Sequence, residues 1–164
     1  MPLNDNHLRE IGRIAVAFNS LEEKAQSAVQ VLMGESTPLT VREEFTVGES
    51  FDRLISKVRS LARIRLPYPD FLADLEEWTR EAKKIQEERN QVLHTGWIVF
   101  YEEPQDADVA TALRRTMKNT YGELRDYTPQ DLYVIAERIQ DVGVRLRNLI
   151  RRMQNLPMKD SYPR

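Results

Sequence analysis

The chain has 164 residues, of which 41% are hydrophobic and 30% are charged, a composition typical of a soluble globular domain with a buried core. It contains no cysteine, which excludes disulfides, thiolate metal sites and cysteine nucleophiles. The formal net charge is −2, so the molecule as a whole has no field that attracts nucleic acid.

The sequence predicts neither a secretory signal nor a membrane span. The first seven residues have no basic region followed by an apolar one. No apolar run approaches the roughly 18 residues that a transmembrane helix needs. We therefore expect a cytoplasmic protein that does not interact with membranes, and we expect His7 to lie in a disordered start without a role.

Two helices are predicted in the first part of the chain. Apolar residues recur at three- and four-residue steps over about 5–33, which is the period of an amphipathic helix. Gly34 ends this helix, and residues 35–47 are interpreted as a connecting loop. A second helix, about 49–65, ends before Pro67 because proline cannot continue a helix interior.

The third predicted helix covers about 70–95, with Asp70 as a candidate N-cap and Gly96 as the residue that follows its last turn. Residues of about 97–127 form short β-prone runs. The sequence Thr128-Pro129-Gln130-Asp131 then combines a hydroxyl cap, a proline at the first position and an acid in the first turn. It predicts the start of the last helix, about 128–156.

The pattern contains no repeat and no domain boundary. It predicts one all-α domain over residues 1–164, built as a four-helix bundle with a short β-hairpin-like insertion between the third and fourth helices.

Arg89 is the least ordinary residue of the predicted bundle. The three-four spacing that begins at Phe71 places Arg89 on the apolar line of the third helix. A guanidinium aimed at a core or an interface costs several kcal/mol unless it is paired. Glu22 or Glu23 on the first helix, or a second subunit, could support it.

Asn90 and His94 are four residues apart and share one flank of the same helix. Arginine binds phosphate in a bidentate geometry, and histidine exchanges protons near neutral pH. With Arg89 they suit a site that holds a phosphodiester and moves a proton. The helical directions of Arg89 and His94 differ by roughly 140°, so their convergence needs side-chain length, fraying at Gly96 or a partner subunit.

Arg89, Asn90 and His94, at the end of a long third helix and followed by Trp97, resemble the motif of the HEPN superfamily. That motif is an arginine, an adjacent polar residue and a histidine four to six residues after the arginine. The resemblance implies a metal-independent endoribonuclease that acts as a symmetric homodimer on RNA without a cofactor. It implies that His94 is the general base or acid, that Arg89 stabilises the phosphorane, and that Asn90 orients the imidazole or binds phosphate.

A toxin or a defence effector is the biological role that this resemblance suggests, with an antitoxin or a regulatory protein as a possible partner. Family toxins paired with a nucleotidyltransferase antitoxin often have a tyrosine two residues after the histidine. Gly96 occupies that position here, so this particular pairing is unsupported.

Basic residues concentrate in residues 53–65 and 145–152. Arg53 and Lys57 could contact RNA phosphates, and Trp97 could stack on a base. The alternative interpretation is that the basic runs are ordinary solvated helix faces and that Trp97 packs against the protein.

Two further hypotheses compete with ribonuclease activity. A metal-binding bundle is disfavoured, because Gln91 stands where a di-iron bundle needs a glutamate before His94, and we expect no metal site. A non-catalytic bundle that dimerises or binds a partner is the stronger alternative. In that case Arg89 should lie beside a carboxylate of its own chain, whereas a catalytic arginine should face open space or a second subunit.

Overall fold

The computed structural model describes residues 3–94, 96–98, 110–115 and 121–159, and most of them are helical, in agreement with the predicted all-α class. The helices are α1 (Asp5–Met33), α2 (Leu39–Glu44), α3 (Phe51–Arg65), α4 (Pro69–Leu93) and α5 (Pro129–Asn155). Within the described part of the chain, none of these helices combines the length and the apolar character needed to cross a membrane.

Helix α2 lies inside the segment that was interpreted as a loop, and that interpretation was wrong for residues 39–44. The helix has no buried residue, so no apolar period marks it in the sequence. Local backbone hydrogen bonds define it, for example from the Arg42 N–H to the Pro38 carbonyl (3.1 Å). A helix of six residues is too short for a periodic pattern to predict.

The start of α4 also differs from the prediction. The Tyr68 carbonyl accepts the N–H of Leu72 (2.9 Å), and Pro69 is the first helical residue. Asp70 therefore lies in the first turn and is not the N-cap. Proline is favoured at the first helical position because its missing N–H would have no partner there.

The start of α5 has the cap that its sequence predicts. The Thr128 hydroxyl accepts the Asp131 N–H (3.1 Å), and the Asp131 carboxylate accepts the Thr128 N–H (2.8 Å). The hydrogen bonds from the Thr128 backbone and side chain hold the pKa of Asp131 below its ordinary value. This reciprocal capping fixes where the chain leaves β structure and becomes helical.

Three strands precede α5: β1 (Gly96–Ile98), β2 (Ala110–Arg115) and β3 (Tyr121–Tyr127). They form an antiparallel sheet in the order β1-β2-β3. The register pairs Trp97 with Ala112 and Ala112 with Arg125. Much of the predicted β insertion, including residues 99–109 and 116–120, lies outside the described residues, so its complete form stays a prediction.

The helices and the sheet belong to two compact units. The first contains Met1–Phe18 and Lys84–Gln140, and the second contains Asn19–Lys83 and Asp141–Arg164. In the second unit, Trp78 is fully buried and its indole N–H donates to the Val142 carbonyl (3.0 Å). The predictions of a single domain and of a four-helix bundle stay predictions.

The first turn of α1 is folded, and the expectation that His7 lies in a disordered start was wrong. His7 is 1% exposed. Asn4 caps the helix by accepting the His7 N–H (3.0 Å), and its Oδ1 atom also lies 2.6 Å from His7 Nδ1. His7 Nε2 lies 3.2 Å from the Tyr127 carbonyl oxygen. The contact with Tyr127 is made across most of the chain, so local sequence patterns could not predict it.

Candidate active site

Arg89, Asn90 and His94 lie together at the C-terminal end of α4, within the first unit. Arg89 is half-buried, whereas Asn90 and His94 are exposed. The sequence predicted His94 in the last turn of this helix, and that prediction was wrong: α4 ends at Leu93, and His94 is the first residue beyond it. Its N–H still donates to the Asn90 carbonyl (3.0 Å), which keeps His94 close to the helix end.

Arg89 rests on an aromatic ring of α1. Its guanidinium carbon lies 4.8 Å from the centroid of the Phe18 ring, and Phe18 is 1% exposed. Such a cation–π contact is worth roughly 0.5–2 kcal/mol, depending on desolvation. The Arg89 Nε atom is buried and makes no hydrogen bond with any described residue. A charged residue can therefore occupy an apolar helix position here because it stacks on a ring.

The guanidinium end of Arg89 joins the other two residues. Its Nη1 atom donates to Asn90 Oδ1 (3.0 Å) and lies 2.8 Å from His94 Nε2. Arginine nitrogens only donate, so His94 Nε2 is the acceptor of this second hydrogen bond. The structure thus brings the three predicted catalytic residues into one cluster. The length of the arginine side chain and the position of His94 beyond the helix overcome the angular separation.

Trp97 packs beside this cluster. Its indole N–H donates to the Val92 carbonyl (3.2 Å), and its ring meets that of Tyr127 edge to face, with centroids 5.8 Å apart. Tyr127 is buried, and burial raises the pKa of its hydroxyl above the ordinary value. These contacts favour the packing interpretation of Trp97, and its stacking on a base stays a prediction.

Arg53 and Lys57 belong to the second unit. The Arg53 side chain is 76% exposed and lies 3.7 Å from Glu49. Lys57 donates to the Phe45 carbonyl (2.6 Å) and to Glu49 (3.0 Å), and it also lies over the Phe45 ring. The hydrogen bond from Lys57 lowers the pKa of Glu49. Lys57 is thus held by contacts within its own unit, and RNA binding by either residue stays a prediction.

Four other arginines of the two basic runs also pair with acids of the second unit. Arg59 and Arg63 share Glu76 at 2.9 and 2.8 Å. On α5, Arg145 pairs with Glu77 and Glu81, and Arg152 pairs with Asp74. Exposed pairs of this kind contribute little stability, but they offset part of the positive charge of the basic runs. The charge pattern therefore favours ordinary solvated faces over a phosphate-binding surface.

The carboxylates proposed to support Arg89 lie in the other unit. Glu22 and Glu23 belong to the second unit and Arg89 to the first, so this support stays a prediction. Among the described residues of its own unit, Arg89 has no ion pair with a carboxylate. Nor do the described residues contain a cluster of histidine and acidic side chains that could hold a metal ion.

Phe18 is the site residue that the sequence did not single out. It belongs to the apolar stripe of α1, where the pattern predicts only a core position. No local signal connects it with Arg89, which is 71 positions later in the chain. An arginine on the apolar line of a neighbouring helix, with an aromatic residue on the facing stripe, is the combination that could have suggested the contact.

The chain was compared with protein-family models, with curated proteins and with solved structures, and none of them matches it.

Proposed function

We propose that this protein is a metal-independent endoribonuclease that resembles the HEPN superfamily, acts as a cytoplasmic homodimer and serves as a toxin or defence effector. The observation that carries the proposal is the cluster at the end of α4, where Arg89 Nη1 lies within hydrogen-bonding distance of both Asn90 and His94. The proposal includes a four-helix bundle with the hairpin-like insertion as the scaffold of this cluster.

The chemistry follows from the three side chains. His94 Nε2 accepts the proton of the ribose 2′-hydroxyl while O2′ forms a bond to phosphorus and the P–O5′ bond breaks. The 5′-oxygen receives a proton from a second donor, which a homodimer supplies as its other copy of His94. Arg89 stabilises the additional negative charge of the pentacoordinate phosphorane. The products are a 2′,3′-cyclic phosphate and a free 5′-hydroxyl, and DNA is not cleaved because it lacks the nucleophile.

The surroundings of Arg89 support a catalytic role over a structural one. Within its own unit, the described residues bond the guanidinium through an aromatic ring, an amide and an imidazole rather than a carboxylate. None of these partners neutralises its charge. An arginine that retains its full charge beside an exposed imidazole can bind a phosphate group.

The alternative function is a non-catalytic bundle that dimerises or binds a partner protein. Two observations favour it: six residues of the basic runs pair with acids, and Trp97 is engaged in packing. A protein of this kind would retain its fold and its partner when His94 is replaced.

A cleavage assay on total RNA in excess EDTA distinguishes the two functions. We expect the wild type to cut RNA despite chelation and His94→Ala to lose this activity. Glu87→Ala is the matched control, because Glu87 is an exposed residue of the same helix outside the cluster. Absence of cleavage by the folded wild-type protein, or equal cleavage by His94→Ala, would refute the proposed ribonuclease and leave the partner-binding function.

A further inference from the structure

The hydrogen bond between Arg89 and His94 defines the protonation pattern of the imidazole. Arg89 Nη1 lies 2.8 Å from His94 Nε2. A guanidinium has no acceptor atom, so Nε2 carries a lone pair and no proton. The ring proton is then on Nδ1, and the imidazole is neutral. The atom that would act as the base is therefore occupied in this structure.

Arg89 is the better-fixed member of this pair. Its guanidinium lies on the buried ring of Phe18 and donates to Asn90 as well as to His94. His94 is exposed and stands outside the helix, and its backbone N–H bond to Asn90 is its other described contact. A competitor for Nη1 can therefore separate the two side chains without disturbing the helix.

A phosphate group is such a competitor. The guanidinium attracts an anionic phosphate oxygen through opposite charge, whereas the imidazole nitrogen is a neutral acceptor. Phosphate oxygens also accept two parallel N–H bonds from arginine, which a single imidazole nitrogen cannot do. A phosphate that reaches Arg89 should displace His94 Nε2.

We propose that Arg89 masks the base of the resting protein and that a substrate phosphate unmasks it. In the resting state His94 Nε2 is bonded to Arg89 and cannot accept a proton. When a phosphate takes the Arg89 Nη1 donor, the Nε2 lone pair is released beside the bound phosphate. This regulation of the site rests on the proposed function, but it concerns the contact between two side chains and is measurable without cleavage.

Nitrogen NMR of the two histidine rings tests the masking step. The chain has only two histidines, so the spectrum of ¹⁵N-labelled His94→Gln assigns both rings. At pH 7 in a phosphate-free buffer, we expect His94 to show a protonated Nδ1 and an unprotonated Nε2. A protonated Nε2 in the wild-type protein would overturn the proposal.

Inorganic phosphate tests the unmasking step. We expect added phosphate to shift the signal of the unprotonated His94 Nε2 towards that of an imidazole nitrogen without a hydrogen-bond donor, because Arg89 Nη1 then donates to the anion. Sodium chloride of equal ionic strength should leave the signal in place. An Nε2 signal that does not respond to saturating phosphate would overturn the proposal.

Variants identify the arginine that is responsible. In Arg89→Gln we expect the Nδ1-protonated pattern to be lost before phosphate is added. Arg9→Gln is the matched control, because Arg9 is an exposed arginine of α1 whose described contact is with Asn6, and it should keep both the pattern and the response. A protein with both responses but no cleavage of RNA would refute the proposed ribonuclease alone, whereas cleavage with a protonated Nε2 at rest would refute only the masking.

Discussion

The two histidines of this chain lie in opposite surroundings. His7 is buried at the start of α1, and both of its ring nitrogens face oxygen atoms of the protein. His94 is exposed beyond the end of α4, and its described ring contact is through Nε2 to Arg89. The His7 ring has both nitrogens in contact with protein oxygens and cannot bind a ligand through them, whereas His94 can exchange Arg89 for another partner. The comparison separates a histidine that stabilises a fold from one that can perform chemistry.

Replacing the exposed histidine tests this distinction most strongly. We expect His94→Ala to reduce RNA cleavage by about 10²- to 10⁴-fold, the usual contribution of a positioned acid or base. Its melting temperature should remain within the range of surface substitutions, because His94 is exposed. Initial rates on a defined RNA and thermal unfolding measure the two effects, and a large loss of stability would contradict the assignment.

Replacing the buried histidine should have the reverse outcome. We expect His7→Ala to lower the free energy of unfolding by about 1–3 kcal/mol, because the variant removes a buried ring and its contact with the Tyr127 carbonyl. Cleavage per folded molecule should not change. Urea denaturation measures the effect, and Asn6→Ala is the control, because Asn6 is an exposed residue of the same helical turn. A loss of activity without a loss of stability would move His7 into the site.

Phe18 and Phe71 are a matched pair that tests whether an aromatic ring positions Arg89 for its contact with His94. Each ring is buried beneath an arginine, Phe18 beneath Arg89 and Phe71 beneath Arg152. Phenylalanine to leucine keeps most of the volume and should cost less than about 1.5 kcal/mol at either position. We expect Phe18→Leu to slow cleavage by about tenfold and Phe71→Leu to leave it unchanged. Equal rates for both variants would show that the ring does not position Arg89.

Thr128 and Asp131 cap the start of α5 directly after Tyr127, whose carbonyl contacts His7. Replacing Thr128 tests how much this cap stabilises the fold. We expect Thr128→Ala to lower stability by about 1 kcal/mol, as the loss of an N-cap usually does. Because the folded-state pKa of Asp131 is lowered, the stabilisation from its cap is present above the ordinary carboxyl pKa and is lost as the pH falls through the folded value. Denaturation at pH 7 and at pH 3 measures this, and the variant should differ less from the wild type at the lower pH.

Replacing Tyr127 should have the smallest effect on stability, and we expect it only at alkaline pH. Burial raises the pKa of its hydroxyl, so the neutral form stabilises the folded state and this contribution is lost as the pH rises above about 10. We expect Tyr127→Phe to unfold less readily above that pH, with a stability at pH 7 within about 1 kcal/mol of the wild type. An unchanged alkaline transition would show that Tyr127 does not determine it.

The sequence predicts elements whose signals are local. The period of α1 and the Thr128–Asp131 cap indicate helices that the structure contains, with bounds within two residues of the predictions. The motif at Arg89, Asn90 and His94 needs only six residues of one helix end, and the structure brings these side chains together.

Local sequence patterns could not predict contacts between residues that are distant in the chain. The bond of His7 to the Tyr127 carbonyl and the stacking of Arg89 on Phe18 depend on how distant segments pack. Helix α2 was not predicted, because a short helix without buried residues leaves no apolar pattern in the sequence. The basic runs left a phosphate-binding surface and ordinary solvated faces both open, because the charge of a sequence does not reveal which acids pair with its arginines and lysines.

The contact between His7 and the Tyr127 carbonyl also has a consequence for the order of folding. It joins positions 120 residues apart, and closing so long a loop costs more chain entropy than forming the local turns of any helix. During synthesis His7 Nε2 lacks its contact with the Tyr127 carbonyl until β3 has left the ribosome, and only the local contact with Asn4 can form. We expect this turn to be the last part of the first unit to gain protection from hydrogen exchange during refolding.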